Sequence, residues 1–456
     1  MIKRTNRTHT RITAGQRPLF AVFFAAALTI LLFPAPLIFA TAFAGDPGNA
    51  TGVNNALRPQ ELSILDGYLG EAARNNPELK RLGHTHQASL EMIPQAGALP
   101  DPEINIGYFI NPDDPDTFAG RFSVSAMQMF PWYRTRQTRE EAQRFTADAQ
   151  LYALQDRRAA IFSDIQKAWF DYTAIALSID VIEENRALVA DLESVVRVRY
   201  ETARASTADL LRIQMEDSRL KTRIENLKDQ KNAVRAGFNE LLNRDAESAI
   251  ETPDRLPRRR LPGSEEALAD LVRQNNPELD ELDARISAAD ERTRLARLEG
   301  RPTIGVGLEI MGRDFTAMTM MPDMNEGYVA MVSISLPIYR GSYDAKVRQA
   351  LEEKQAASQG KAQLSNRLSR QTQEALVDWR KSQRDLELID EELIPKTRHA
   401  FDVLQEEYGA GNIGFEEVLQ IRRELLDLQL ARIEAITAQN KSMAQIEYLF
   451  AAELGR

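Results

Sequence analysis

The stretch YVAMVSISLPIYR, residues 328–340, decides the fold because the pattern of its side chains changes period at Pro337. Before the proline, apolar residues occupy every second position, as in a strand with one apolar face. After Arg340, apolar residues recur every three or four positions, as on one side of a helix. The stretch therefore predicts a strand that leads directly into a long helix.

A second copy of this junction, FSVSAMQMFPWYR, occupies residues 122–134, and the sequence NNPEL occurs at both 75–79 and 275–279. These matches predict an internal duplication. The predicted order in each half is a helix, a β-hairpin and a long helix pair. We place the first repeat at 45–243 with its hairpin at about 103–130, a proline-rich and arginine-rich linker at 244–263, and the second repeat at 264–456 with its hairpin at about 303–337.

Residues 1–44 have the pattern of an export signal, with basic residues, an apolar run at 19–33 and the small-x-small sequence at 42–44. The alternative is a membrane anchor, which Pro34 and Pro36 disfavour because they interrupt the apolar run. The chain has no cysteine and a net charge of −10. This charge argues against nucleic acid as a partner, since phosphates require a basic surface.

The two predicted hairpins supply four strands of a length that crosses an outer membrane. An open sheet edge cannot face lipid, so the barrel must be shared between subunits. Two copies give eight strands, whose interior side chains fill, and three copies give twelve. Small and polar residues on one face favour a water-filled bore and hence the trimer; they are Ser123, Ser125, Gly305, Gly307, Ser333 and Ser335.

The fold class that follows is an α+β membrane protein: a trimeric β-barrel with four strands per chain and twelve in total, continuous with long helices. The duplicated halves, the paired hairpins, the proline junctions and the segments beginning at Tyr200 and Tyr408 resemble the TolC-type outer-membrane efflux proteins. The resemblance extends over essentially all of the chain after residue 44. It implies a homotrimer in the cell outer membrane, with a large periplasmic coiled-coil tunnel.

The resemblance also implies partners and a function. The partners are a periplasmic membrane-fusion adaptor, an inner-membrane pump of the RND type and outer-membrane lipid. The implied function is the exit duct of a tripartite efflux system for heavy-metal cations or drugs, with no catalytic residue and no cofactor. The alternative function is a periplasmic coiled-coil adaptor or structural protein, which would lack a lipid-facing band. We also find no HExxH sequence and no nucleophile elbow that would indicate a hydrolase.

The sequence GAGNIG at 409–414 fits a dinucleotide-binding pattern, but helices on both sides predict a tight turn instead. The resemblance implies that this turn lies at a periplasmic gate, where a tyrosine and a carboxylate nine residues downstream help to close the aperture. The candidate gate residues are Tyr200, Asp209, Tyr408, Gly409, Gly411, Gly414 and Glu417. Ile413 occupies the position of an arginine in the family, for which Arg204 or Arg212 are candidate replacements. The alternative is that both carboxylates are solvated helix ends.

Methionines are concentrated in the hairpins. Met318, Met320, Met321 and Met324 lie in the second hairpin loop, and Met127, Met129, Met311 and Met331 lie in or beside strands. Thioethers suit Cu(I), and these features resemble the heavy-metal branch of the family (CusC or CzcC type). The alternative is that methionine fills space adaptably. We predict no resident metal site, and we interpret His84 and His86 as ordinary polar positions.

Overall fold

The computed structural model describes residues 62–109, 121–312 and 327–451. The first half contains helices α1 (Ser63–Asn75) and α2 (Pro77–Gly97), strands β1 (Glu103–Phe109) and β2 (Arg121–Phe130), and helices α3 (Thr135–Glu201) and α4 (Thr207–Leu242). The second half contains α5 (Glu265–Asn275), α6 (Pro277–Glu299), β3 (Thr303–Gly312), β4 (Gly327–Ser335), α7 (Arg340–Leu388), α8 (Ile394–Ala410) and α9 (Phe415–Leu449). Both halves have the element order that an internal duplication predicts.

Two buried asparagines, Asn76 and Asn276, have the same structural role in the two halves. Each side-chain oxygen accepts hydrogen bonds from first-turn amides of the following helix, at distances between 2.9 and 3.3 Å. The Nδ2 of Asn76 donates to the carbonyl of Leu241, and that of Asn276 donates to the carbonyl of Leu449, both at 2.8 Å. Each asparagine therefore caps a helix near the start of its repeat and ties it to the last helix of the same repeat.

The four strands form one antiparallel sheet in the order β1-β2-β3-β4. The register pairs Ile106 with Val124, Val124 with Ile310, and Ile310 with Tyr328, so one row crosses all four strands. Since directly opposed residues lie on the same face, the apolar positions of all four strands form one continuous surface. In the single chain this surface is open: the side chain of Ile106 is 74% exposed.

The opposite face of the sheet carries the small and polar residues, as the alternation predicts. Its members include Asn105, Ser123, Ser125, Gly305, Gly307, Glu309 and Ser333. The four strand methionines, Met127, Met129, Met311 and Met331, also lie on this face. Strands β1 and β4 stand at the two ends of the sheet, and among the described residues neither has a second strand partner. The outer edges of both strands are therefore open in the protomer.

The helices of the two repeats share one core. Trp169 and Phe170 of α3 are fully buried, and their cluster includes Phe238 of α4 in the first half. It also includes Leu386 of α7 and Ile436 of α9 in the second half. Helix α3 packs along α6 and α9 as well as along α2 and α4. The largest apolar cluster therefore joins the two repeats. Two smaller clusters, around Leu376 and Leu368, lie within the second repeat.

The helix pairs end far from the sheet. Helix α3 has 67 residues, which at about 1.5 Å per residue makes a rod of roughly 100 Å. It begins shortly after β2, so the turn that follows it lies at the remote end of the molecule. We call the turns at 202–206 and 411–414, together with the helix ends that flank them, the tip. Phe415 and Leu419 of α9 share an apolar cluster with Val196 of α3 and Ile213 of α4, so the two turns lie side by side.

Two prolines lie inside helical segments of the structure, Pro94 and Pro395. The sequence indicates a turn at Pro94, yet α2 continues to Gly97. The helix is held there by its packing along α3: Gly97 is buried, and its carbonyl accepts a hydrogen bond of 2.7 Å from Arg136 Nε. The long helix after β4 contains a π-helical turn, Ile389–Leu393, directly before Pro395. A proline lacks an N–H and its ring clashes with the preceding turn, and a wider turn relieves both conditions.

Several predicted features lie outside the described residues. They are the export signal at 1–44, the acidic part of the first hairpin loop, and Met318, Met320, Met321 and Met324 of the second. Within the described residues, no helix has the length and apolar character required to cross a membrane.

Candidate functional site

The first turn of the tip is built around a helix cap. Ser206 is the N-cap of α4, and its Oγ accepts a hydrogen bond from the amide of Asp209 at 3.2 Å. The carboxylate of Asp209 accepts in return from the amide and hydroxyl of Ser206, at 3.0 and 2.7 Å. This reciprocal pair is a capping box. Asp209 therefore stabilises the start of its own helix. The sequence S-T-A-D at 206–209 has the spacing of such a cap.

The second turn of the tip depends on Gly411. Its φ of +83° is a left-handed conformation that side chains disfavour, and it ends helix α8. Gly409 lies inside the last turn of α8, and Gly414 is the N-cap of α9 in an extended conformation. Among the three candidate glycines, only Gly411 therefore has the positive φ that side chains disfavour. The helix-turn-helix geometry agrees with the prediction of a tight turn.

Arg199 connects the two turns of the tip at the ends of α3 and α8. Its guanidinium donates to the carbonyls of Tyr408 and Gly409, at 3.0 and 3.2 Å. It also lies 4.3 Å from the centre of the Tyr408 ring, which is a cation–π distance. The Tyr408 ring in turn packs against Phe415 at 5.7 Å between ring centres. A cation at the carbonyl end of α8 is further favoured by the helix dipole.

Arg212 makes a second connection across the tip, at the starts of α4 and α9. Its Nε lies 2.9 Å from the Oε2 of Glu416, and its Nη1 lies 3.5 Å from the Oδ1 of Asp209. Arg212 is one of the two candidate replacements for the missing family arginine. In this protomer it pairs with Glu416, the neighbour of the candidate residue Glu417. Two arginines therefore cross between the hairpins of the two repeats.

The tyrosine and carboxylate side chains that the resemblance implies for the gate do not bond to each other among the described residues of the protomer. The hydroxyl of Tyr408 is buried and has no hydrogen-bond partner there. Tyr200 is 43% exposed, and Glu417 is exposed. The carboxylate of Asp209 is already bonded to its own helix start and to Arg212. The contacts that hold the protomer's tip together thus come from the arginines, and Arg199 was not among the predicted residues.

Ionisable groups also cluster away from the tip, where α3 meets α6 and α9. The hydroxyl of Tyr448 donates to the Oδ1 of Asp156 at 3.3 Å. Burial, and then the charge of Glu278, raise the pKa of the Asp156 carboxyl. Burial likewise raises the pKa of the Tyr448 hydroxyl. In the part of the chain that the structure describes, no group of three or more histidine, aspartate or glutamate side chains is arranged to hold a metal ion.

The model of the family described as "Outer membrane efflux protein" matches residues 268–451. This segment, which is less than half of the chain, is similar to the outer membrane efflux proteins. The matched segment contains β3, β4, the second turn of the tip and most of the second repeat. No protein with a curated description matches the sequence.

Solved structures of outer-membrane proteins have the same fold over both repeats. The outer-membrane channel OprN is 15% identical, with a TM-score of 0.75 over 86% of this chain and 91% of that one. CusC is 16% identical, with a TM-score of 0.75 over 85% and 92%. VceC from Vibrio cholerae is 12% identical, with a TM-score of 0.74 over 86% and 97%. The first repeat, which the family model does not reach, therefore has the channel fold as well.

Proposed function

We propose that the chain is the outer-membrane exit channel of a tripartite efflux system, a passive duct and not an enzyme. Two findings support this function: the match of residues 268–451 to the efflux family, and a fold shared with outer-membrane channels over more than four-fifths of the chain. The sheet lies in the outer membrane, and the helices extend into the periplasm. The tip is then the periplasmic entrance.

The observation that carries the proposal is the pair of open edges on β1 and β4. An unpaired strand edge in lipid leaves amides and carbonyls without partners. The continuous apolar surface of the sheet suits contact with lipid, and its small and polar face suits a water-filled bore. Three copies place β4 of one protomer beside β1 of the next and close a twelve-stranded barrel. The helices of the three protomers then form the wall of a periplasmic tunnel.

The proposed partners follow from this placement. A periplasmic membrane-fusion adaptor contacts the helices near the tip, and an inner-membrane pump of the RND type supplies the cargo. The tip is the proposed gate. In the trimer, the exposed side chains of Tyr200 and Glu417 would lie around the threefold axis. Tyr408, whose hydroxyl is buried in the protomer, packs inside the tip against Phe415. Arg199 and Arg212 hold the two turns of each protomer together. Opening then requires the turns to separate from their neighbours.

Cysteine cross-linking tests the closure of the barrel, because the natural chain contains no cysteine. Asn105→Cys in β1 is combined in one chain with a cysteine in β4, at Met331, Ser333 or Ser335 in turn, so that different registers are sampled. Oxidation of the membrane-embedded protein should give a covalent trimer on a denaturing gel for at least one pair.

The matched control combines Ser125→Cys with the same β4 positions. Ser125 lies on the same face as Asn105, but its strand β2 already has β1 and β3 as neighbours. It should give no trimer. The proposed closure is refuted if all three β1–β4 pairs remain monomeric after oxidation, or if the protein extracted in mild detergent has the mass of a monomer.

A further inference from the structure

Two methionine sulfurs converge over Gly305 on the small and polar face of the sheet. A Cβ atom placed on Gly305 would lie 2.6 Å from the Sδ of Met129 and 3.4 Å from the Sδ of Met127. Both sulfurs therefore lie beside the space that a side chain at position 305 would fill, and Gly305 is buried beneath them. The register brings this about, since Met129 is opposite Gly305 and Met127 is opposite Gly307.

A third methionine, Met331, lies on the same face of the sheet. Met331 is opposite Gly307 on the β4 side, so Met127 and Met331 flank one glycine in a single row of the sheet. The two methionines stand two strands apart, which is about 9.6 Å because adjacent strands are about 4.8 Å apart. Gly307 lies between them and carries no side chain. A methionine side chain has three rotatable bonds and adapts its path easily. Three sulfurs can therefore reach one point above the two glycines.

Carboxylates border this group of methionines. Glu103 is opposite Met127 in the register, and Glu309 is the next residue of β3 on the same face after Gly307. Met127, Met129 and Met331 are each partly exposed in the protomer, so a solute can reach them. Carboxylates beside a binding surface raise the local concentration of cations. The surroundings therefore favour a positively charged ligand.

The sequence alone leads us to expect no resident metal site, but the sulfurs that converge over Gly305 change this expectation. We propose that Met127, Met129 and Met331 form a binding site for a soft monovalent cation, Cu(I) or Ag(I). Neutral thioethers are soft ligands that select Cu(I), whereas Ca²⁺ and Mg²⁺ require oxygen ligands. The two glycines leave the space in which the sulfurs converge. Three protomers would carry three such sites at one level of the bore. The placement in a bore rests on the proposed function, whereas the binding of the cation by the methionines does not.

Silver(I) is the probe, because it is a soft monovalent cation that is stable in air. Its binding to the full-length protein in detergent is measured by equilibrium dialysis with elemental analysis. The double variant Met127→Leu with Met129→Leu removes two sulfurs and keeps the side-chain volume, a replacement that cores usually tolerate. Since even the loss of outer-shell partners weakens metal sites 10–100-fold, this variant should bind Ag(I) about tenfold more weakly or worse.

Two further variants and two controls sharpen the test. Gly305→Val should also weaken binding, because it fills the space between the sulfurs without removing one. Met92→Leu, at a 51% exposed methionine of α2, should leave Ag(I) binding unchanged. Leucine at all four methionines of the second hairpin loop should also leave the affinity of this site unchanged; these are Met318, Met320, Met321 and Met324.

The proposal is overturned if the double variant binds Ag(I) as tightly as the natural chain, in which case the sulfurs only fill space over the glycines. It is also overturned if the loop variant or Met92→Leu loses the binding instead. Single-channel recording in planar bilayers separates this result from the proposed function. If the protein forms channels but does not bind Ag(I) tightly, the metal site alone is refuted. If the protein binds Ag(I) but forms no channel, the channel function alone is refuted.

Discussion

Replacing Arg199 by alanine removes the contact that joins the ends of α3 and α8 at the tip. The guanidinium makes two hydrogen bonds to carbonyls and one cation–π contact. A hydrogen bond to a charged group contributes about 1.5–3 kcal/mol when it is shielded from water, and an exposed cation–π contact about 0.5–1 kcal/mol. Arg199 is half-exposed and one group makes all three contacts, so the terms do not add. We expect a loss of about 1–2 kcal/mol for each protomer.

Hydrogen exchange measures this loss directly. A decrease of about 1–2 kcal/mol in the free energy of local opening speeds exchange by roughly 5–30-fold. The effect should be confined to peptides covering 405–416, because the rest of α8 and α9 keeps its packing. In planar bilayers the purified Arg199→Ala trimer should also show a higher conductance than the natural protein, because the turns at the gate are less firmly held.

Arg197→Ala provides the matched control. Arg197 lies two residues earlier on the same helix and pairs with Glu193 of that helix at 2.7 Å, so it makes no contact across the tip. The control should leave the exchange of residues 405–416 unchanged. If Arg199→Ala and Arg197→Ala give the same exchange rates and the same conductance, Arg199 does not hold the tip, and the reasoning from its contacts is refuted.

Two other predictions follow from the sheet and from the buried carboxyl. Val332→Arg should destabilise the barrel by about 2–4 kcal/mol near the membrane midplane, whereas Ser333→Arg on the opposite face should chiefly alter conductance; equal losses of heat-stable trimer on gels would contradict the assignment of the two faces. Burial raises the pKa of Asp156 in the folded state, so its contribution to stability is present below the ordinary range of aspartate and is lost as pH rises through the raised pKa. Asp156→Asn should therefore flatten this fall in melting temperature between acidic and neutral pH, and an unchanged pH profile would count against it.

The sequence predicts the local elements well because each has its own periodic signal. Apolar residues at every second position placed Ile304, Val306 and Leu308 on one face of a strand, and the structure has them there. The long helix pair predicted for the first repeat is α3 with α4. The same alternation also places Met127 on the face of Ser125, since the two residues are two positions apart on β2.

The contacts at the tip could not be predicted in this way. Arg199 and Tyr408 are distant in sequence, and only the packing of α3 against α9 brings their helix ends together. The resemblance implies that Tyr200 and Asp209 help to close the aperture, which stays a prediction. In the protomer, the carboxylate of Asp209 caps its own helix through the nearer Ser206. A local hydrogen bond costs less ordering of the chain than a contact across a turn. The end of α2 was misplaced because its packing on α3 outweighs the preference of Pro94.

The pairing of β2 with β3 has a consequence for how the polypeptide matures. Phe130 cannot pair with Ile304, its partner on β3, until the second repeat has been synthesised and exported. Until then the first hairpin has only two strands, which are marginally stable at best in water, and its open edge can recruit other chains. The core that the two repeats share has the same consequence for α3, because its apolar surface stays exposed until α9 has been synthesised. The first repeat can therefore reach its final packing only after the second repeat has been synthesised.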